Sequence, residues 1–321
     1  MDYKLHRRIA DTGEAAAGLV GKFFANPLRT SSFLVLLVLY ICISLIPLSV
    51  SAHDLADVQR SGVLRHLGIP YANFVTGSGD GMDVEIMKLF ARYLGVQYQY
   101  VKTDWDSAIG DLTGSKVEPK GGGVEILGKV QVKGDLIADG MTVLPWRREV
   151  VDFSEPTFAN QVWLIARSDS PLKPIKPSND MQKDMAAVRK LLKNRTLLCK
   201  AKTCLDPSLY NLETAGARLR YFEGSLNEMV PALLNRKAEL TLLDVPDALV
   251  ALQKWPGKIK VIGPISAMQE MAVAFRKDSP GLRDAFNKFL GQIRKDGTYR
   301  HIVDKYYPFA LDYYPAFFRD K

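Results

Sequence analysis

Cysteine and histidine are scarce, at three and four among 321 residues. Two of the cysteines, Cys199 and Cys204, fall in "LLCKAKTCLDP" with no further Cys or His nearby, which points away from a metal site. Outside the first 52 residues the histidines are His53, His66 and His301, all on regular elements or at a terminus, so no His-assisted nucleophile is assembled. No dinucleotide fingerprint follows the first strand, and the Gly-rich pieces "GSGDG" (77–81) and "GGG" (121–123) join no strand directly to a helix and read as surface turns. The charge is scattered: Arg147-Arg148 is the only Arg-Arg pair in a structured stretch, and nothing resembles a nucleic-acid stripe with interleaved aromatics.

What is present is a globular composition, 47% apolar, 10% aromatic and 24% charged, enough for one large or two modest cores. One stretch stands apart. Residues 33–50, "FLVLLVLYICISLIPLSV", are apolar and uncharged, with Arg29 before them and "SVSA" at 49–52. A basic flank, an apolar run and small residues at Val50 and Ala52 fit an export signal cut after Ala52. The 18-residue length and the long leader fit an uncleaved single-pass anchor instead. Both readings put residues 53–321 outside the cytoplasm, in the periplasm or an equivalent extracytoplasmic space, where a Cys199–Cys204 disulfide is chemically permitted; two buried thiols are the alternative. Residues 1–52 hold five basic and three acidic side chains, so +6 of the formal +8 charge remains on the exported part, suited to an anionic envelope or an acidic ligand.

Beyond the leader, strand and helix patterns alternate. Strands are predicted over 63–69, 96–101, 135–138, 161–166, 238–244 and 259–265, and helices over 82–95, 181–194, 225–237, 245–255 and 281–307, the last hinged at Gly297. Asp83 is read as a cap of the helix at 82–95. Residues 114–133 interrupt this rhythm as a β-hairpin excursion. It joins the N-terminal end of its strand, so it is expected to sit away from any cleft. The Pro- and Lys-rich stretch 168–180 opens a second unit. Such alternation implies α/β units on mostly parallel sheets.

Four stretches, in order, carry a family resemblance: "YANF…GDGMDVEIMKLFARYLGVQYQYV", "GDLIADGMTVLPWRREVVDFSEP", "AELTLLDVPDAL" and "MAVAFRKDSPGLRDAFNKFLGQIRKDGTYRHIVDKYYP". Together they resemble the family 3 extracellular solute-binding proteins, the amino-acid-binding class of periplasmic receptors, and also the binding domain of membrane-bound lytic transglycosylases. The resemblance implies a two-lobed periplasmic binding protein type II fold, two mostly parallel sheets joined by two crossover strands. Lobe 1 would comprise residues 56–159 plus 269–308, lobe 2 residues 162–266, and 309–321 a C-terminal tail. Closure on a ligand would be a hinge motion.

The family's site then maps onto this chain. Thr142 and Arg147 would take the ligand α-carboxylate, with Gly140 offering backbone and Thr203 donating from lobe 2. A guanidinium fork matches a carboxylate with two hydrogen bonds, which Lys does not reproduce. Asp244 would hold the α-ammonium, and Tyr71 and Trp105 would sandwich the ligand side chain, with plain core packing as the alternative for both aromatics. The chain departs from the pattern at Gly68, where many amino-acid binders carry an acid, at Leu144, which replaces a hydroxyl, and at Lys202 and Cys204, which replace glycines of the lobe-2 turn. Lys200 and Lys202 are solvated or line the cleft and favour an acidic ligand.

The resemblance implies a non-enzymatic monomer without a cofactor or a nucleic-acid partner. It would deliver a small carboxylated solute to an inner-membrane ABC permease. A glycan-cleaving enzyme is not expected, since the chain ends at Lys321 soon after the binding region. The remaining alternatives are a sensor or accessory module held by residues 33–50 and docked through the 114–133 hairpin, or a lytic-transglycosylase-related protein lacking the catalytic domain.

Overall fold

The computed structural model describes residues 54–77, 79–121 and 123–319; the signal or anchor segment expected over 1–52 lies outside them. Helix α1 (Leu55–Ser61) leads through Gly62 into β1 (Val63–Gly68), an inner strand of the first sheet. Helix α2 (Met82–Leu94) returns the chain to β2 (Gln97–Lys102), which pairs parallel with β1 from Val63 opposite Gln97 to Gly68 opposite Lys102. The buried face of α2 is Met82, Val84, Ile86, Met87, Phe90 and Ala91, spaced at the three-and-four interval that a one-sided helix requires. Helix α3 (Ala108–Thr113) precedes a hairpin of β3 (Ser115–Lys120) and β4 (Gly123–Lys129). The two-residue β5 (Leu136–Ile137), wholly buried, lies on the other side of β1. After α4 (Pro145–Arg148) comes β6 (Val151–Phe153).

The chain then crosses. Strand β7 (Phe158–Asn160) passes to a second sheet, in which β8 (Val162–Arg167), α5 (Met181–Lys190), β9 (Thr196–Cys199), β10 (Arg218–Tyr221), α6 (Met229–Leu234), β11 (Leu240–Asp244), α7 (Val245–Lys254) and β12 (Ile259–Pro264) follow in order. Strand β13 (Gln269–Met271) crosses back antiparallel to β7, and β14 (Ala274–Arg276) enters the first sheet between β5 and β6. Helices α8 (Pro280–Lys295), α9 (Thr298–Tyr306), α10 (Ala310–Tyr313) and α11 (Pro315–Arg319) close the chain.

The orders are β2-β1-β5-β14-β6 and β10-β9-β11-β8-β12. In each, four strands share one direction and a single strand, β14 or β8, runs against them. The expectation of two mostly parallel sheets with two crossing strands is met. Strand β11 reads "LTLLD" and is buried at every position, as a central strand covered on both faces must be. Aromatic packing ties the crossing to the terminal helices: Phe158 of β7 meets Tyr307 at 5.0 Å and Phe318 at 5.4 Å. Tyr313 reaches Trp163 of β8 at 5.8 Å.

Two expectations need correction. Asp83 is not a cap: the N-cap of α2 is Gly81, and the Asp83 carboxylate turns inward to accept the Gly140 N–H at 2.7 Å. The 114–133 hairpin is formed, but it does not stand clear of the cleft. Glu118 reaches Lys202 of the second sheet's loops at 2.5 Å. Its base is held by Val130 N–H to the Gly114 carbonyl at 3.0 Å and by the Lys133–Asp111 pair at 2.8 Å, and this base aims the tip toward the other sheet.

Candidate ligand-binding site

The end of β5 forms one lip of the interior. Gly140 sits at φ +70°, and a Cβ there would lie 2.4 Å from the Phe74 ring, so both backbone and space demand glycine. Past it, Thr142 forms a bridge with Met271 of β13, and Val143 N–H donates to the Glu270 carbonyl at 2.8 Å. The corner is thus sewn to the crossing strand. Pro145 opens α4 from an extended Leu144, and the short helix turns Arg147 back over Thr142.

Arg147 is 2% exposed. Its Nη1 donates to the Thr142 carbonyl at 2.8 Å, and its Nη2 reaches the Lys202 carbonyl of the opposite lip at 3.4 Å. Its Nε is buried without a partner among the described residues. The guanidinium lies 5.6 Å from the Trp105 ring centre and 5.3 Å from that of Trp146, so two indoles flank it. The Thr142 hydroxyl accepts from Asn160 Nδ2 at 3.2 Å, and Asn160 Oδ1 accepts the Val245 N–H at 3.3 Å, which couples the corner to the start of α7.

Asp244 ends β11 on the opposite side and is 1% exposed. Its carboxylate accepts the Tyr71 hydroxyl from the first sheet, the Asp247 N–H at 3.2 Å and the Cys204 thiol at 3.5 Å. Burial pushes its pKa up to about 6, partly offset by the Tyr71 bond, the Asp247 N–H and the Cys204 thiol. Burial, then the Asp244 charge, holds the Tyr71 phenol well above its ordinary value, so Tyr71 is the donor of that pair. The Tyr71 ring meets Trp105 edge-on at 5.7 Å. Asn227 Oδ1 accepts the Ala72 N–H at 3.0 Å, a further bond between the two sheets' loops.

The structure therefore brings Tyr71, Trp105, Thr142, Arg147, Cys204 and Asp244 together between the sheets. It leaves two expected contributions differently placed. The Gly140 N–H is used by Asp83 and is not offered to a ligand. The Thr203 hydroxyl donates to the Lys200 carbonyl at 2.9 Å and accepts the Leu205 N–H at 3.1 Å, so it shapes its own turn. The permitted disulfide is not formed: Cys199 and Cys204 are free buried thiols. The Cys199 thiol points at the Arg220 carbonyl at 3.6 Å, and burial raises its pKa to about 12. The Cys204 thiol is likewise raised, by burial and then by the Asp244 charge.

Three residues had no sequence signal for a role here. Asn160 lies in the crossing strand, where no pattern marks it. Asp139, fully buried, has both oxygens unpartnered among the described residues. Burial, then the charge of Asp83, holds it well above the usual carboxylate range, and Arg147 offsets this in part. Glu118 belongs to the hairpin. The departure at Gly68 is explained by Tyr100: a Cβ at Gly68 would lie 2.5 Å from that ring, and the Tyr100 hydroxyl donates to the Gly68 carbonyl at 2.9 Å. An acidic side chain has no room there.

Two clefts flank this interior. One of about 390 Å³ is lined by Trp105, Asp106, Lys102, Lys200, Glu223 and Asn227. The other, of about 570 Å³, runs between the hairpin tip at Lys120 and Gly121, Trp146, and the turn at Lys202, Thr203 and Asp206. Among the described residues no group of three or more His, Cys, Asp or Glu could hold a metal ion, and no helix is long and apolar enough to cross a membrane.

Comparison with known proteins places this architecture. The sequence profile of the bacterial extracellular solute-binding proteins, family 3, matches residues 125–309. The chain belongs to this family. This family 3 protein is 24% identical over 246 residues to the probable amino-acid-binding protein YxeM of Bacillus subtilis, covering 74% of this chain and 80% of that one. It is 26% identical over 231 residues to the membrane-bound lytic murein transglycosylase F of Desulfosudis oleivorans, covering 71% of this chain; the chain spans 44% of that relative's length. Among solved structures it resembles a mutant of ArgBP from T. maritima, with TM-score 0.62 at 22% identity over 79% of this chain and 99% of that one. An ancestral arginine-binding protein bound to arginine gives TM-score 0.61 at 22% identity, over 77% and 98%. These structures share the two-lobed fold, and the family 3 relatives are for the most part binding proteins.

Proposed function

We propose that this family 3 protein captures a small carboxylated solute, an amino acid or a close analogue, and delivers it to an inner-membrane ABC importer from the extracytoplasmic side. Residues 56–159 with 269–308 act as one lobe and 162–266 as the other, hinged at the β7–β13 crossing. The observation that carries this reading is Arg147, 2% exposed and flanked by two indoles, with its Nε unpartnered among the described residues and its Nη2 resting on the Lys202 carbonyl at 3.4 Å. A solute carboxylate offers a shorter, charge-assisted and bidentate partner than a backbone carbonyl at that distance. Asp244 stands across the interior as the acceptor for an ammonium, which would take over the place of the Tyr71 hydroxyl. Ligand contacts to both lobes would favour the closed state. The names of relatives agree with the solute class, among them an L-cystine-binding protein of Escherichia coli at 21% identity.

A thermal-shift screen of the full chain with amino acids, small carboxylates and a muropeptide tests the reading. A saturable rise in melting temperature is expected, lost in Arg147→Ala and in Asp244→Ala. Carboxylates that shift the Arg147→Ala protein as much as the wild type refute the site. The match to a murein transglycosylase supports a second reading, a binding module for cell-wall fragments. A shift with the muropeptide alone would select it.

A further inference from the structure

The hairpin that interrupts the fold is ion-paired to the second sheet's loops through Lys202. Lys202 stands where the family resemblance expects glycine, and it adopts φ +61°, a left-handed conformation that L side chains rarely take. Three attachments hold it. Its N–H donates to Asp206 Oδ2 at 3.0 Å, its carbonyl accepts Arg147 Nη2 at 3.4 Å, and its ammonium pairs with Glu118 at 2.5 Å. Asp106 adds a second carboxylate at 3.9 Å. Glu118 lies on β3 and Asp106 precedes α3, so both acids come from the first sheet's side of the cleft. The main chain of Lys202 therefore touches the carboxylate corner while its side chain touches the hairpin.

We propose that the β3–β4 hairpin is an interlobe strap, with Lys202 as its catch, that holds the cleft closed and positions the turn against Arg147. A glycine at 202 would satisfy the backbone without strain, and the lysine gains its place by reaching Glu118 of the hairpin at 2.5 Å, closer than Asp106 at 3.9 Å. The 570 Å³ cleft beneath the hairpin tip is the space left between strap and turn. Glu118 acts through Lys202 and touches no solute, so it is a positioning residue. The proposal rests on the reading that the two lobes open and close, but not on which solute binds.

The test is the distance between lobes in the full-length protein without added solute. Fluorophores are introduced by unnatural amino acids at the exposed positions 93, on α2, and 221, on β10. Glu118→Gln is expected to raise the open-to-closed ratio roughly 1.5- to 5-fold, the span typical of half-exposed ion pairs. High salt should reproduce this in the wild type and add little in the variant. Glu118→Lys with Lys202→Glu should restore closure, and Lys202→Gly should open the cleft as Glu118→Gln does. Glu125→Gln, which breaks the exposed Lys120–Glu125 pair within the hairpin, serves as a control that leaves the ratio unchanged. Asn227→Ala, which removes another bond between the sheets' loops, shows that the assay sees opening. If Asn227→Ala lengthens the distance and Glu118→Gln does not, the strap is refuted and the clamp stands. A distance fixed in every variant refutes both.

Discussion

Replacing Asp83 by Asn isolates a buried charge from the hydrogen bond it makes. Asp83 is 2% exposed, and its carboxylate accepts the Gly140 N–H at 2.7 Å beneath the turn that carries the corner. Burial raises its pKa from 3.8 to about 7, with the Gly140 bond opposing. The folded protein therefore holds this proton more tightly than the unfolded chain does. The contribution to stability is complete below about pH 4 and is lost as pH rises towards about 7. At about 1.4 kcal/mol per unit, the three-unit window corresponds to about 4 kcal/mol. Asparagine keeps a carbonyl for the Gly140 N–H and carries no charge to desolvate. In urea titrations of the full-length protein, Asp83→Asn should gain on the wild type by about 2–4 kcal/mol between about pH 4.5 and pH 8. Asp139 is raised in part by the charge of Asp83, so its titration also eases in the variant and changes the difference in the same direction. A difference that stays constant with pH, or shrinks as pH rises, refutes the argument.

Gly140→Ala should cost about 2–5 kcal/mol, combining left-handed strain of about 1–2 with overpacking against Phe74 at 2.4 Å. Chemical denaturation reads this directly, and a loss under about 1 kcal/mol would contradict it. Cys199 and Cys204 should resist iodoacetamide in the folded protein near neutral pH and label fully in urea, because burial raises both thiols and hides both sulfurs. Rapid native labelling, or a mobility difference on reduction, would show that one of them is exposed or bridged.

Much of the fold was legible because long periodic segments dominate it. The helix at 82–94 and the mostly apolar β11 follow from pattern alone, and the order of four motifs implied the crossing topology. The site was legible to the level of which residues meet: Tyr71, Trp105, Thr142, Arg147 and Asp244 do. What each polar group does was not legible, since that depends on partners far away in sequence. Gly140 and Asp83 are 57 residues apart, and Thr142 reaches α7 only through Asn160 of the crossing strand. The hairpin was misplaced for a similar reason. Its point of entry into the strand says where it starts, whereas its direction is set by the Lys133–Asp111 pair and by Lys202, on the far side of the cleft.

The threading of β14 carries a consequence for how the molecule is made. It lies between β5 and β6, yet more than a hundred residues separate it from either in sequence. The first sheet cannot be completed until the chain has been synthesised through residue 276, whereas β8 to β12 form one uninterrupted segment able to fold earlier. Non-local pairing of this kind slows folding, because the loop must close before any contact rewards it. Strands β2, β1 and β5 can pair with one another early, but the outer edge of β5 and all of β6 stay unpaired until β14 arrives. Completion of the first sheet thus lags its own translation, and the C-terminal third of the chain decides when the protein becomes a single folded body.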